Sequence, residues 1–275
     1  MEEQNNINFD PKKGWERFSG RVEREQQLQQ RRSRWIKYAA ALFIPVLLVS
    51  GLLLTRHYQQ APENEALVFI SSGIGEQKEV QLPDGSRVWL NAASEISYNF
   101  KNKKERAVNL LKGEAYFEVS HDQKKPFMVK VNALYIKVYG TGFNINSYDP
   151  TVKTTLIHGS IGAGCSGQHL MLKPGQEASF DAQTKAFKVK NVTINDFAAW
   201  RNGLLNFENA SLREIGTILE RQYGYTLSFS SSQIAEMRFT ATAKIKDGLP
   251  QLLGFLNKVS GLQFKIINKT VLVSP

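Results

Sequence analysis

The fold of this chain is restricted first by one long apolar stretch. Residues 38–54 carry no charge over 17 positions and are almost all hydrophobic. Extended to residues 36–55, the stretch reaches 20 residues. At about 1.5 Å of rise per residue, a helix of that length matches a hydrocarbon core of about 30 Å. The sequence therefore predicts a single-pass membrane protein with a transmembrane helix over residues 36–55.

Two alternatives to a permanent span are a buried core helix and a cleaved signal peptide. A core helix so uniformly apolar is uncommon in a domain of this size. A signal peptide starts near the first residue, whereas 37 mostly polar residues precede residue 38, and no A-x-A-like cleavage site follows the stretch. A permanent membrane anchor is therefore the favoured interpretation.

The charges beside the stretch predict its orientation. Arg31, Arg32, Arg34 and Lys37 directly precede it, and Arg56 alone directly follows it. Because cytoplasmic flanks carry the excess of Lys and Arg, the N-terminus is expected in the cytoplasm and the C-terminal region outside the inner membrane, in the periplasm.

The arm ahead of the span, residues 1–35, is too short to form a hydrophobic core of its own. Trp15, Phe18 and Val22 recur at i, i+3 and i+7, which gives a helix with one apolar stripe in a charged setting. Such a stripe is typical of a helix that lies in a partner's groove. The alternative is an amphipathic helix that rests on the membrane surface.

The region 80–190 shows short alternating runs separated by turn residues, which is typical of an all-β domain. A compact β-sandwich and a short β-solenoid both satisfy the spacing, and no long helix fits. Turns are predicted by proline and glycine at five places: Pro83-Asp84-Gly85, Lys112-Gly113, Gly140-Thr141-Gly142, His158-Gly159 and Pro174-Gly175. Residues 56–79 are interpreted as a linker and first strand, and residues 191–203, with Trp200, as a connector.

A different pattern occupies residues 204–275. Ser211 and Glu214 form a capping box ahead of a periodic apolar run that stops at Gly224. A second such run stops at Gly261, and the two units superimpose at an offset of 37 residues. The sequence predicts a small α+β lobe built from two strand-helix-strand repeats.

No constellation of side chains indicates catalysis or a cofactor. The histidines at 57, 121, 158 and 169 lack metal-ligand spacing, and the single cysteine, Cys165, has no Cys-x-x-Cys partner. Residues 162–167 match G-x-G-x-x-G, but no helix pattern follows, so we interpret them as a loop between strands. Asp84 is interpreted as a turn residue and Glu114 as a residue beside a turn glycine at a strand start. We therefore expect no enzyme, no cofactor and no metal.

Five motifs occur in order along the β region. They are Leu82-Pro83-Asp84-Gly85-Ser86, Gly113-Glu114-Ala115-Tyr116-Phe117-Glu118-Val119, Pro126-Phe127, Gly140-Thr141-Gly142-Phe143-Asn144-Ile145 and Leu172-Lys173-Pro174-Gly175-Gln176. Together they resemble the FecR family of membrane anti-sigma factors. The lobe after Trp200 is similar to the C-terminal lobe of the version from Bacteroidetes-like bacteria, and to the short N-terminal domain of secretins and TonB-dependent receptors.

The resemblance implies a role in signalling across the inner membrane. The cytoplasmic arm would hold an extracytoplasmic-function sigma factor, and the periplasmic part would respond to the signalling domain of a TonB-dependent outer-membrane transporter. A membrane-anchored periplasmic module that binds a glycan or the cell wall is the alternative. The net charge of +10 does not require nucleic acid as a direct partner, because part of it is the basic collar before the span and the rest is spread over the exported region.

Overall fold

The computed structural model describes residues 47–53, 67–101, 104–165, 167–193 and 199–275. The chain divides into two units, residues 1–64 and residues 65–275. Within the predicted span, residues 47–53 are described and are helical. No helix among the described residues is both long and apolar enough to cross a membrane. The predicted arm and its basic collar lie outside the described residues.

Thirteen strands make up one curled sheet in the first part of the 65–275 unit. They are β1 (Val68–Ser71), β2 (Lys78–Gln81), β3 (Arg87–Leu90), β4 (Glu95–Asn99), β5 (Arg106–Glu118), β6 (Phe127–Val131), β7 (Leu134–Val138), β8 (Gly142–Ser147), β9 (Thr151–His158), β10 (Ile161–Cys165), β11 (Gln168–Leu172), β12 (Gln176–Asp181) and β13 (Ala186–Asn191). The described part of 80–190 contains no helix, in agreement with the sequence pattern.

Strand β5 is central to this sheet because it is long enough to pair with two groups of strands. Its first half pairs with β4 and, in parallel, with β6, while its second half pairs with β3 and β8. The order across the sheet is β11-β10-β7-β6-β5-β8-β9-β12-β13. One hydrophobic core, from Leu82 to Phe180, fills the curl. The result is a half-barrel, a form that neither the sandwich nor the solenoid interpretation described.

Gly113 lies at the point where β5 changes partners. The sequence predicted a turn at Lys112-Gly113, but both residues belong to the continuous strand β5. Gly113 has φ +94°, and a Cβ there would come within 2.6 Å of Ser94 Cα. The pairing of β4 with β5 also shifts register between Glu95 and Ile96. The shift places Leu111 as an extra residue on β5, so the strand carries a bulge close to Gly113 and continues through the glycine instead of ending there.

The string 162–167 also differs from its interpretation as a loop. Gly162, Gly164 and Cys165 lie in strand β10, and Cys165 is buried. Glycine on this strand leaves room for neighbours, since a Cβ at Gly164 would meet His169 Nδ1 at 3.1 Å. The absence of a Cβ at Gly164 therefore makes room for His169 on the neighbouring strand.

The second part of the unit is a separate α+β lobe, which we call the C-terminal lobe (residues 204–275). Its elements are β14 (Leu204–Ser211), α1 (Leu212–Tyr223), β15 (Thr226–Phe229), α2 (Ser232–Ala235), β16 (Arg238–Lys244), a 3₁₀ turn (Ile245–Asp247), α3 (Gly248–Ser260), β17 (Gln263–Ile267) and β18 (Thr270–Ser274). Strand β14 pairs with β16, and β15, β18 and β17 form a second sheet. A hydrophobic core from Leu205 to Val273 holds it together.

The helix signals of this lobe are confirmed. Ser211 Oγ accepts a hydrogen bond from the Glu214 backbone, and the Glu214 carboxylate accepts one from the Ser211 backbone. Gly224 and Gly261 end α1 and α3 in the left-handed conformation. The order β14-α1-β15 followed by β16-α3-β17 matches the predicted pair of strand-helix-strand repeats.

Candidate functional site

The most informative surface of the described chain is the junction between the curled sheet and the C-terminal lobe. The turn that follows β1 reaches the end of helix α1. The Gly75 backbone N–H donates to the Arg221 carbonyl at 3.0 Å, and Ile74 lies beside Gly224. Gln77 Nε2 donates to the Trp200 carbonyl at 2.9 Å. The connector and the lobe therefore contact the chain directly after its first strand.

An arginine of the connector is held by two aromatic rings of the sheet. The Arg201 guanidinium carbon lies 4.0 Å from the ring centre of Trp89 and 4.0 Å from that of Tyr116. The two rings meet edge to face at 5.6 Å. Burial, followed by the hydrogen bond to Glu118, raises the pKa of Tyr116 to about 12. The neutral ring and the cation therefore form a lasting contact at neutral pH.

Replacing Arg201 with alanine is expected to weaken the docking of the lobe by about 1–2 kcal/mol, because a partly desolvated cation loses two ring contacts. Urea unfolding followed by tryptophan fluorescence measures this loss. Arg213→Ala is the matched control, since it removes an arginine whose ion pair with Glu236 is more than half exposed, and such pairs contribute well under 1 kcal/mol. Equal effects of the two substitutions would contradict the contact's role.

A second arginine binds the sheet from helix α1. The Arg221 guanidinium carbon lies 3.9 Å from the ring centre of Tyr148. The Tyr148 hydroxyl donates to the Ala92 carbonyl, and burial raises its pKa. Arg221 also attracts the carboxylate of Glu114. Two arginine–aromatic contacts therefore join the parts of this unit.

Glu114 is a buried acid at this junction. Its two carboxylate oxygens accept hydrogen bonds from Asn91 Nδ2 and Asn144 Nδ2, each at 2.8 Å. Removal from water outweighs these bonds and the attraction of Arg221, so the pKa of Glu114 lies above its ordinary value of 4.5. Contrary to the sequence interpretation, Glu114 lies inside strand β5 and not at a strand start.

Glu114→Gln is expected to change how stability depends on pH. The folded state binds the proton of the Glu114 carboxyl group more tightly than the unfolded chain does. The contribution of this proton to the stability of the parent is therefore complete below pH 4.5 and is lost as pH rises through the raised pKa. The stability of E114Q relative to the parent should therefore increase with pH. The Asn144 amide can rotate to present Oδ1 to the new glutamine. Tm values of E114Q and the parent between pH 4 and 8 measure the difference. Glu220→Gln, a substitution of an exposed glutamate, is the control. Parallel pH profiles for E114Q and the parent would contradict this interpretation.

A cleft of about 540 Å³ lies between the sheet and the C-terminal lobe. Glu114, Asn144 and Glu177 belong to its sheet side, while Trp200, Asn206 and Thr217 belong to the connector and the lobe. Among the described residues no group of His, Cys, Asp and Glu has the arrangement of a metal site.

Two models of known protein families match the chain, one in each part of this unit. The model of the family described as "FecR protein" matches residues 69–162, and the model described as "FecR, C-terminal" matches residues 204–273. The chain belongs to the FecR family of anti-sigma factors. Among curated proteins none matches it.

Solved structures extend the FecR likeness to three dimensions. Two crystal structures of a proposed anti-sigma factor from Parabacteroides distasonis ATCC 8503 are 25% identical to this chain, each with a TM-score of 0.68. The likeness covers 76% and 75% of this chain and 98% of each crystallised chain. Those crystallised chains match over nearly their whole length, so in that protein the matching region folds without further sequence.

The FecR motif residues lie in the turn between β2 and β3, in the hydrophobic core, and at other turns, strand ends or positions of β5. Pro83, Asp84 and Gly85 form the turn between β2 and β3, where Asp84 accepts a hydrogen bond from buried Arg106 at 2.8 Å. Phe117 and Phe143 stack in the core at 5.0 Å. The remaining positions lie at turns or strand ends or in β5: Gly113, Glu114, Gly140, Thr141, Pro174 and Gly175. Of the motif residues, Glu114 and Asn144 line the cleft.

Some of the candidate residues predicted from the sequence are not described by the structure, and some contacts in the structure were not predicted. Trp15, Phe18 and Val22, and the collar of Arg31, Arg32, Arg34 and Lys37, lie outside the described residues. Sequence reasoning missed the contacts of Arg201 and Arg221. A cation next to Trp200 in the connector was the one available signal for the first, and nothing local marked the second.

Proposed function

We propose that this chain is an inner-membrane anti-sigma factor that holds an extracytoplasmic-function sigma factor in the cytoplasm. Residues 1–35 would carry the sigma-binding stripe of Trp15, Phe18 and Val22, residues 36–55 would cross the membrane, and the rest would lie in the periplasm. The observation that carries the proposal is the ordered match of both FecR regions together with the structural likeness to a proposed anti-sigma factor.

The signal is proposed to come from the signalling domain of a TonB-dependent outer-membrane transporter. The contacts at the junction support a mechanical path for it. Docking on the C-terminal lobe would move helix α1, whose end bonds Gly75 only four residues after β1 ends. The span precedes β1 in sequence, and we propose that this movement is passed through β1 toward the membrane. Release of the sigma factor would follow from this change.

Trp15→Ala in the full chain tests the sigma-binding part of the proposal. We expect the parent to co-purify with an extracytoplasmic-function sigma factor of its host, and Trp15→Ala to lower that recovery at least tenfold, since a buried Trp anchor contributes about 2 kcal/mol or more. Gln27→Ala in the same arm is the control. Equal recovery with and without Trp15 would refute the assigned stripe, and no recovery of any sigma factor would refute the function.

The alternative, a membrane-anchored glycan- or cell-wall-binding module, makes the opposite prediction. The arm would then be a passive anchor, and any charged sequence in place of residues 1–35 would leave function intact. No observation at the junction favours a passive arm over a sigma-binding one.

A further inference from the structure

A row of mostly polar side chains crosses six neighbouring strands of the curled sheet. Strand register places them side by side in the order Trp89, Tyr116, Asn144, Thr155, Glu177 and Lys190. The opposite face of these strands carries the core residues Phe117, Phe143 and Phe180. A polar sheet face normally meets water. Here Asn144, Thr155 and Glu177 are 3%, 2% and 3% exposed.

These three side chains are buried, but not every buried polar atom of the cleft has a hydrogen-bond partner among the described residues. Thr155 Oγ1 donates to Glu177 at 3.3 Å, and Lys190 pairs with Glu177 at 3.3 Å. Asn144 Oδ1 and Trp200 Nε1, both buried, have no hydrogen-bond partner among the described residues. A buried polar atom without a partner costs about 1–3 kcal/mol. One is an acceptor and the other a donor, and a hydroxyl group can serve both.

The charge of the cleft indicates the charge of what it binds. Its carboxylates are Glu114, Asp149, Glu177, Glu208 and Glu214. Its cations are Lys153, Lys190, Arg221 and Arg238. The two sets nearly cancel, and part of each is already paired, as in the 3.8 Å contact of Arg238 with Glu214. Such a lining favours neither a strongly anionic nor a cationic ligand.

The uncharged lining indicates the chemical class. Amides and hydroxyls come from both sides of the cleft, from Asn144, Asn146 and Thr155 of the sheet and from Asn206, Asn209 and Thr217 of the lobe. A volume of about 540 Å³ lies within the range of small-molecule sites. Apolar ligands would leave these groups unpaired, which is costly.

We propose that the cleft binds a small neutral saccharide, whose hydroxyl groups bond the amides and carboxylates of both sides. Because the sheet and the lobe each contribute side chains, the bound sugar holds the junction closed. This inference goes beyond the anti-sigma function and does not depend on it, since sugar binding is measured without any sigma factor.

Calorimetric titration of residues 65–275 tests the proposal. The probes are neutral mono- and disaccharides, including N-acetylated sugars, with uronic acids, amino sugars and dipeptides as charged alternatives. We expect one-to-one binding of at least one neutral saccharide and a rise in Tm in its presence. Asn206→Ala and Thr217→Ala, both exposed at the cleft wall, should each weaken binding about tenfold, because each loses a hydrogen bond to the sugar. Ser228→Ala, an exposed control on β15 outside the cleft, should leave it unchanged.

Three results would overturn the proposal. One is the absence of binding by every neutral saccharide in the panel. Another is binding only of the charged sugars or the dipeptides. The third is sugar binding that is equally strong in Asn206→Ala, Thr217→Ala and the control Ser228→Ala, because the sugar would then lie outside the cleft.

Discussion

Phe117→Ala is expected to destabilise the curled sheet by about 3–5 kcal/mol, the usual cost of truncating a fully buried phenylalanine. Phe117 is 0% exposed, stacks on Phe143 at 5.0 Å and meets Phe127 edge to face at 6.3 Å. The ring lies on β5, the strand that joins both halves of the sheet, so no neighbour can close the cavity without moving that strand. Urea unfolding of residues 65–275 measures the loss.

Phe255→Ala supplies the matched control. The chemical change is the same, but Phe255 lies on α3 with 46% of its surface exposed, so we expect a loss below about 1 kcal/mol. A loss of similar size from both substitutions would mean that Phe117 is not the centre of the core described above.

Gly75→Ala is expected to separate the C-terminal lobe from the turn after β1. Gly75 has φ +69°, and a Cβ there would lie 2.7 Å from the Gln222 carbonyl oxygen, which is backbone at the end of α1. The substitution adds left-handed strain of about 1–2 kcal/mol and displaces the hydrogen bond to Arg221, a further loss of about 1 kcal/mol. Native-state hydrogen exchange at the residue 75 amide should accelerate by a factor of ten or more.

Gly167→Ala separates the strain from the contact. Gly167 has φ +86°, and a Cβ there would meet nothing within 4 Å. It should therefore show the same strain while leaving exchange at residue 75 unchanged. If Gly167→Ala accelerated that exchange as much as Gly75→Ala, the junction would not couple the lobe to this turn.

Local sequence signals predicted the elements of the C-terminal lobe well. The capping box at Ser211 and Glu214 and the stop at Gly224 are interactions within a few residues, so their pattern is visible in the chain itself. The all-β character of the region before it was visible for the same reason, through alternation and turn residues.

Long-range geometry explains what the sequence did not predict. Gly113 has the appearance of a turn glycine, and only the ladders of β5 with β4 on one side of this residue and with β3 on the other show that the strand continues through it. Arg201 meets Trp89 and Tyr116 across more than 80 positions of sequence, and no local pattern encodes such a contact. The cleft depends in turn on how the lobe covers the sheet, which follows from tertiary packing alone.

The central claim is that the N-terminal arm inhibits a sigma factor. In vitro transcription with RNA polymerase core enzyme and the sigma factor that co-purifies with the full chain tests it directly. Adding residues 1–35 should reduce transcript from a sigma-dependent promoter in proportion to the peptide, with near-complete loss at molar excess, and the Trp15→Ala peptide should require at least tenfold more. Transcript that stays constant at every concentration of the parent peptide would contradict the account.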